Sequence, residues 1–209
     1  MTKRGRPRAF DEAVVTEKMT ALFWRKGFAA TSLDDIAEAT HVNRPSLYSA
    51  FGSKQDMYIM CLNRFSEEMA GLSRSALSQP DQLEDALAAF FNNLIDVYFD
   101  APEREVRLGC FVFSSAVAEA SENDAVRDVV RHALQDVQAA LKATIVKHFP
   151  NTAPPDVDVA ADTVVSTFLS LGTRVRAGLG RQSVEATVAN AISATLLTLR
   201  RGQPDTTHP

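Results

Sequence analysis

The stretch TSLDDIAEATHVNRPSLYSAFGSK, residues 31–54, admits few folds. Residues 33–40 and 44–51 each carry helical apolar spacing, and only His41-Val42-Asn43 separates them. Pro45 would break a helix interior, because it has no N–H to donate. Asn43 two residues earlier is a good N-cap, which moves Pro45 into the first helical turn, where the missing N–H costs little. Thr31 or Ser32 can cap the helix before it, and Asp34 and Asp35 suit the positive end of its dipole. Ala37 is small where two such helices must cross, and Val42 and Leu47 are apolar where they would fill the angle. The spacing therefore predicts a helix-turn-helix. An ordinary corner between two helices of a bundle has the same layout.

The rest of the chain repeats the 3.6-residue period. Helices are expected over 11–27, 54–77, 82–99, 104–120, 123–149, 157–178 and 183–200, about nine in all. The run LGCFVFSSAVAEA within 104–120 is apolar nearly all round and rich in strand-forming residues. It reads as a buried helix, because no other segment alternates with period two and a strand would lack a partner. Pro102 breaks the chain before it, Pro150 and Pro154-Pro155 are expected to end the helix at 123–149, and Ser183 is a candidate N-cap. The fold class is all-α: an N-terminal three-helix unit over 10–65 and a helical bundle over 66–201. A basic arm at 1–9 and a loose tail at 202–209 flank them. No internal repeat or low-complexity segment is evident.

Charge is divided unevenly. The whole chain has net charge −4, but residues 1–64 carry +3 and residues 65–209 carry −7. Lys3, Arg4, Arg6 and Arg8 stand in the first ten residues with no acid among them. This asymmetry suits an N-terminal part that meets a polyanion, and equally a solvated basic tail. No apolar run is long enough for a membrane helix, and MTKRGRPRAF lacks the apolar core of a secretory signal, so a cytoplasmic protein is expected. Cys61 and Cys110 lie far apart and form no metal or disulfide framework.

If the helix at 44–51 enters a major groove, its leading residues face bases and phosphates. Arg44 has the fork for a guanine or a phosphate, Ser46 reaches a base edge or phosphate, and Tyr48 offers a phenol. Hydroxyls and N–H groups at Thr31 and Ser32 would meet the backbone, and Lys54 would add a cation.

At this level residues 31–58, TSLDDIAEATHVNRPSLYSAFGSKQDMY, closely resemble the DNA-binding segment of TetR-family transcriptional regulators. The resemblance rests on the T-S-L-x-x-I-A block, the L-Y-x-x-F-x-x-K block and the gap between them. It extends from about Phe10 to Phe65. It implies that Thr31, Ser32, Asn43, Arg44, Pro45, Ser46, Tyr48 and Lys54 serve DNA binding, and that Arg4, Arg6 and Arg8 reach a minor groove. His41 stands where the family usually has glycine, so it is expected at positive φ; it either tolerates the turn or also reaches a phosphate.

The resemblance further implies a repressor that binds a near-palindromic double-stranded operator as a homodimer and is released by a small-molecule effector. Two recognition helices would then meet major grooves about 34 Å apart. The last two helices commonly form the dimer interface of such proteins, which would use Val164, Phe168, Val184, Val188, Ile192 and Leu196. Those residues would look the same in an intramolecular core. Candidate walls of an effector site are Phe90, Phe91, Tyr98, Phe111, Phe113 and Phe168, each equally readable as plain core. Arg174 and Arg176 could meet an anionic effector or pair with acids. Cys110 follows Arg107, so it could be a redox or electrophile sensor or an inert buried thiol.

Enzyme chemistry finds little support. Cys110 with His132 or His148 could be imagined as nucleophile and base, but no signature surrounds them. Asp156, Asp158 and Asp162 lack the glycine and terminal glutamate of a calcium loop, and GLG at 178–180 is too short for a phosphate loop. No catalytic residue, metal or cofactor is assigned.

Overall fold

A computed structural model describes residues 10–99 and 108–201. The arm at 1–9, with Arg4, Arg6 and Arg8, lies outside the described residues, as do Pro102, Arg107 and the tail at 202–209. The chain divides into two compact units, Met1–Phe65 and Ser66–Pro209. Ten helices, and no strand among the described residues, make an all-α protein.

The first unit holds α1 (Glu12–Lys26), α2 (Leu33–Thr40), α3 (Arg44–Phe51) and the start of α4 (Lys54–Ser78). Local chemistry fixes each boundary. The Asp11 carboxylate caps α1 by accepting from Ala13 N–H at 2.8 Å, and Gly27 ends it at φ 79°. Ser32 and Asp35 form a reciprocal capping box at the start of α2. Ser53 and Asp56 repeat that exchange before α4: the Ser53 N–H donates to Asp56 at 2.8 Å, and the Asp56 N–H to Ser53 Oγ at 3.2 Å. His41 stops α2 in the left-handed region, at φ 58° and ψ 28°, the positive φ expected of the residue standing for glycine.

The core of this unit is aromatic. Phe23 meets Tyr58 edge-on at 5.0 Å between centroids, and Trp24 meets Phe65 at 4.9 Å. Met19, Ile36, Leu47, Met57 and Leu62 are fully buried around them. Ala37, expected at the crossing, is only half-buried, as is Leu33, so Ile36 anchors the middle of α2.

The second unit holds the rest of α4, then α5 (Leu83–Phe99), α6 (Phe111–Ser115), α7 (Val117–Ala120), α8 (Asp124–His148), α9 (Pro154–Arg176) and α10 (Arg181–Arg201). Helix α9 packs against α8 and α10, and α10 also packs on α5. The inward face of α9 runs Val157, Ala160, Ala161, Val164, Val165, Phe168, Leu171, Gly172 and Val175. Its alanines and glycine let neighbouring backbone come close.

Three expectations are corrected here. The single helix expected over 104–120 is two short helices, α6 and α7, preceded by non-helical residues 108–110. Gly109 at φ 66° takes that stretch out of helical geometry, and its backbone lies against Gly172 of α9. Pro154-Pro155 do not merely follow α8; they open α9, in the first-turn positions where no N–H is required. Ser183 is not the cap of α10, which begins two residues earlier; the Ser183 and Val184 N–H groups donate to Gly180 O. Splitting one expected helix in two raises the count from about nine to ten.

Candidate nucleic-acid interface

Helices α2 and α3 form the candidate interface. Val42 and Leu47 are buried at their angle, so the outer residues of α3 are fixed by what lies beneath them. Asn43 Oδ1 accepts from Ser46 N–H at 2.9 Å, and Pro45 occupies the first turn. Gly52 closes the helix at φ 79°, its N–H donating to Tyr48 O at 3.0 Å. The result is a short rod with both ends pinned. His41, Asn43, Arg44 and Pro45 are exposed at its leading end, Ser46 is half-buried, and Tyr48 is 49% exposed on its flank. Asn43 spends its amide oxygen on the cap and keeps its NH₂ as a donor.

The cap candidates at α2 separate. Ser32 is exposed and is the cap. Thr31 is 1% exposed, and its hydroxyl donates to Gly27 O at 2.6 Å. The expectation that Thr31 offers a hydroxyl to a phosphate is therefore corrected: the side chain closes the link after α1. The Asp35 carboxyl is held down to about 2 by the Lys26 ammonium at 2.7 Å and by the Ser32 N–H and hydroxyl.

Lys54 is also corrected. Its Nζ donates to Phe28 O at 3.0 Å and to Thr31 O at 2.9 Å, and lies 4.2 Å from the centre of the Phe28 ring. The ammonium ties the α1–α2 link to α4, and only one of its three N–H groups is left for an anion. Its role is first a strut and second a cation.

Asp34, expected only to complement the dipole of α2, also meets α3. Arg44 Nε donates to Asp34 Oδ1 at 2.6 Å, and Nη2 lies on the same oxygen. The pair holds the Asp34 carboxyl below its usual range and raises the Arg44 guanidinium. The two residues stand ten apart in sequence, beyond the i+4 reach of one helix. The only signal was an acid in the turn of α2 that α3 happens to face.

In the second unit, the aromatic candidates do gather. Phe90 meets Phe91 at 5.1 Å and Phe168 at 5.9 Å, and Phe113 meets Phe168 edge-on at 5.3 Å. Phe90, Phe91, Phe111 and Phe168 are buried, and Phe113 is partly exposed. Tyr98 is buried with its hydroxyl beside Cys110 and no hydrogen bond of good geometry to either side. Burial, with Cys110 next to it, pushes the Tyr98 phenol well above its ordinary value.

Burial likewise raises the Cys110 thiol, and the Phe113 and Val112 N–H groups offset this only in part. The sensor reading of Cys110 needed a thiolate, and this environment disfavours one. Alkylation of native protein by iodoacetamide at neutral pH should be at least about tenfold slower at Cys110 than at free cysteine, and should become rapid on denaturation. Mass-mapped modification of Cys110 at the free-cysteine rate would restore the sensor. His132 is exposed on α8, whereas Cys110 is buried, so the two do not share a solvent-facing site. Arg176 is exposed and donates to Ser114 O at 2.6 Å, and so binds α9 to α6.

The six residues expected at a dimer interface need correction. Val164, Phe168, Val184, Val188, Ile192 and Leu196 are all buried within one chain. Helical periodicity marks a buried face; here that face packs against the chain's own helices. The outward face of α10 instead carries Leu197, 54% exposed, among Ala186, Ala189, Ser193 and Ala194, and that of α9 carries Val159, 55% exposed, beside Asp158 and Asp162. No helix among the described residues is long and apolar enough to cross a membrane. None of their His, Cys, Asp and Glu side chains gather in threes as metal ligands would.

Comparison with known proteins agrees with the α2–α3 geometry. Residues 17–60 match the family model of bacterial regulatory proteins of the tetR family. The chain is 29% identical over 136 residues to the HTH-type transcriptional repressor ComR of Escherichia coli (strain K12), a match covering 64% of this chain and 63% of ComR. It thus spans somewhat less than two thirds of ComR's length. With the HTH-type transcriptional repressor BdcR of the same organism it shares 28% identity over 191 residues, 90% of each protein. Among solved structures, the TetR family transcriptional regulator CifR, a cysteine mutant complexed with 26-base-pair operator DNA, superposes with a TM-score of 0.81. That match has 23% identity and covers 90% of this chain and 99% of CifR; it concerns the fold. Residues 17–60, which hold the pinned α2–α3 pair, thus match the tetR-family segment, and the all-helical architecture around them is similar to that of CifR.

Proposed function

We propose that the protein is a DNA-binding transcriptional repressor that acts as a homodimer on a near-palindromic operator and is released by a small-molecule effector. The observation that carries this reading is α3: a short helix, capped by Asn43 and braced by Pro45, that exposes Arg44 and Tyr48 above a buried Leu47. A helix pinned in this way can enter a major groove without reordering, which lowers the entropy lost on binding. The names of ComR and BdcR as repressors, and the operator DNA held by CifR, point the same way.

Dimerisation is assigned to the outward faces of α9 and α10, where small residues of α10 let helices approach and Val159 and Leu197 are available for burial. Two copies would present two recognition helices about one DNA turn apart. The effector is assigned to the aromatic cluster of α5, α6 and α9, around Phe90, Phe113 and Phe168, with Tyr98 as its polar handle. Helix α4 contributes residues to both units, so a ligand that favours one arrangement of the second unit can shift the spacing of the recognition helices. It does so only by its differential affinity for the two arrangements.

Titration of labelled duplexes from the DNA flanking its own gene tests the reading. Binding should weaken steeply with salt. Tyr48→Ala should weaken it about tenfold or more, the share of one hydrogen bond to a charged phosphate, equally on cognate and scrambled sequences. Absence of any duplex binding in dilute buffer would overturn the reading.

A further inference from the structure

The Asp34–Arg44 pair joins α2 to the leading end of α3, yet both side chains are largely exposed, 70% and 52%. An exposed ion pair adds little to folding, so stability does not account for it. Its geometry does suggest a use. A guanidinium has five N–H groups on two usable edges. Asp34 Oδ1 takes Nε and Nη2, the side edge. The end edge, with one N–H of Nη1 and the second of Nη2, takes no part in this pair, and the side chain is half exposed. Two parallel N–H groups on one edge are what guanine O6 and N7 accept in the major groove.

We propose that Asp34 sets the sequence preference of α3 by holding Arg44 side-on, so that its end edge reads a guanine in the operator. The proposal rests on the reading of α2–α3 as a DNA interface. Two physical consequences separate it from simple phosphate binding. First, the carboxylate fixes a long side chain that would otherwise sample bases and phosphates alike. Second, Asp34 cancels the charge of Arg44 and repels phosphate, which keeps affinity for non-cognate duplex low. With Asp34 removed, Arg44 is a mobile cation that can neutralise a phosphate and release its counterion. Specificity then falls while general affinity rises.

Selection from a random-duplex pool, followed by titration of the chosen duplex and a scrambled one, tests this. Wild type should enrich a site with a guanine in each half. Asp34→Ala should lower the cognate-to-scrambled affinity ratio about tenfold, the worth of one bidentate base contact. It should also tighten binding to the scrambled duplex and steepen the slope of log affinity against log salt by about one. Arg44→Lys, which keeps the charge and loses the fork, should lower the guanine preference while keeping scrambled-duplex affinity, and Asp34→Asn, which keeps the shape and loses the charge, repeats the test of Asp34 if Asp34→Ala misfolds. If wild type enriches no duplex, the DNA reading itself falls. If wild type enriches a site and any folded variant keeps its guanine preference undiminished, the role of Asp34 falls and the DNA reading stands.

Discussion

Replacing Gly109 with alanine is expected to destabilise the C-terminal unit by roughly 2–5 kcal/mol. Two costs combine. Gly109 sits at φ 66°, in the left-handed region, where a Cβ crowds its own carbonyl at about 1–2 kcal/mol. The added Cβ would also stand 2.3 Å from Gly172 O and 2.9 Å from Gly172 Cα. Those atoms belong to the backbone of α9 and cannot rotate away as a side-chain tip would. Relief requires moving α9, and overpacking of this kind costs about 1–3 kcal/mol more. Gly71 is the control. It lies inside α4 with nothing within 4 Å of a built Cβ, so Gly71→Ala should be neutral or stabilise by about 0.5–1 kcal/mol through helix propensity. Urea unfolding followed by circular dichroism separates the two. Equal midpoints would mean that the contact between Gly109 and α9 yields easily. Because Gly109 precedes Cys110 and α6, its substitution should also weaken any ligand bound among Phe113, Phe168 and Tyr98.

What the sequence disclosed follows the range of the interaction that decides each feature. The caps by Asp11, Ser32 and Asn43, the turn at His41 and the placement of Pro45 are settled by residues within four positions of one another, and local pattern reading reaches them. Features set by distant partners escaped it. Lys54 is a strut because Phe28 O and Thr31 O, more than twenty residues away, converge on its ammonium. Arg44 meets Asp34 because α2 and α3 cross at one angle. The segment before α6 leaves the helix because Gly109 and Gly172 touch, and apolar content alone could not show that. The buried faces of α9 and α10 were legible as faces. Whether the same chain or a partner covers them is invisible to periodicity: Val164 and Ile192 fit a dimer surface by spacing, yet both are buried within the chain. Phe90 and Phe168 share that ambiguity between core and binding-site wall.

Trp24→Ala is expected to unfold the N-terminal unit while leaving the C-terminal unit largely helical. Trp24 is 1% exposed, and its indole meets Phe65 edge-on at 4.9 Å. Truncating a buried tryptophan removes its transfer free energy and leaves a cavity, together about 3–5 kcal/mol. The unit described from Phe10 to Phe65 is small, and a core of that size rarely supplies more than about 3–5 kcal/mol of stability. The loss therefore equals most of what holds α1, α2 and α3 together. DNA binding requires α3 pinned above Leu47, so it should vanish. The larger unit draws on a separate core around Phe90, Phe168 and Leu171 and should keep its helices. Wild type offers a built-in probe, since Trp24 is the sole tryptophan. Its fluorescence should report the first unit alone, whereas circular dichroism reports both. In urea, the fluorescence midpoint should precede the main loss of helix, and the variant should begin with the partial helix signal that wild type reaches after the fluorescence change. The exposed Val14→Ala should shift either midpoint by no more than about 0.5 kcal/mol. A single coincident transition in wild type, with Trp24→Ala losing all helix together, would show that the two units fold as one cooperative body.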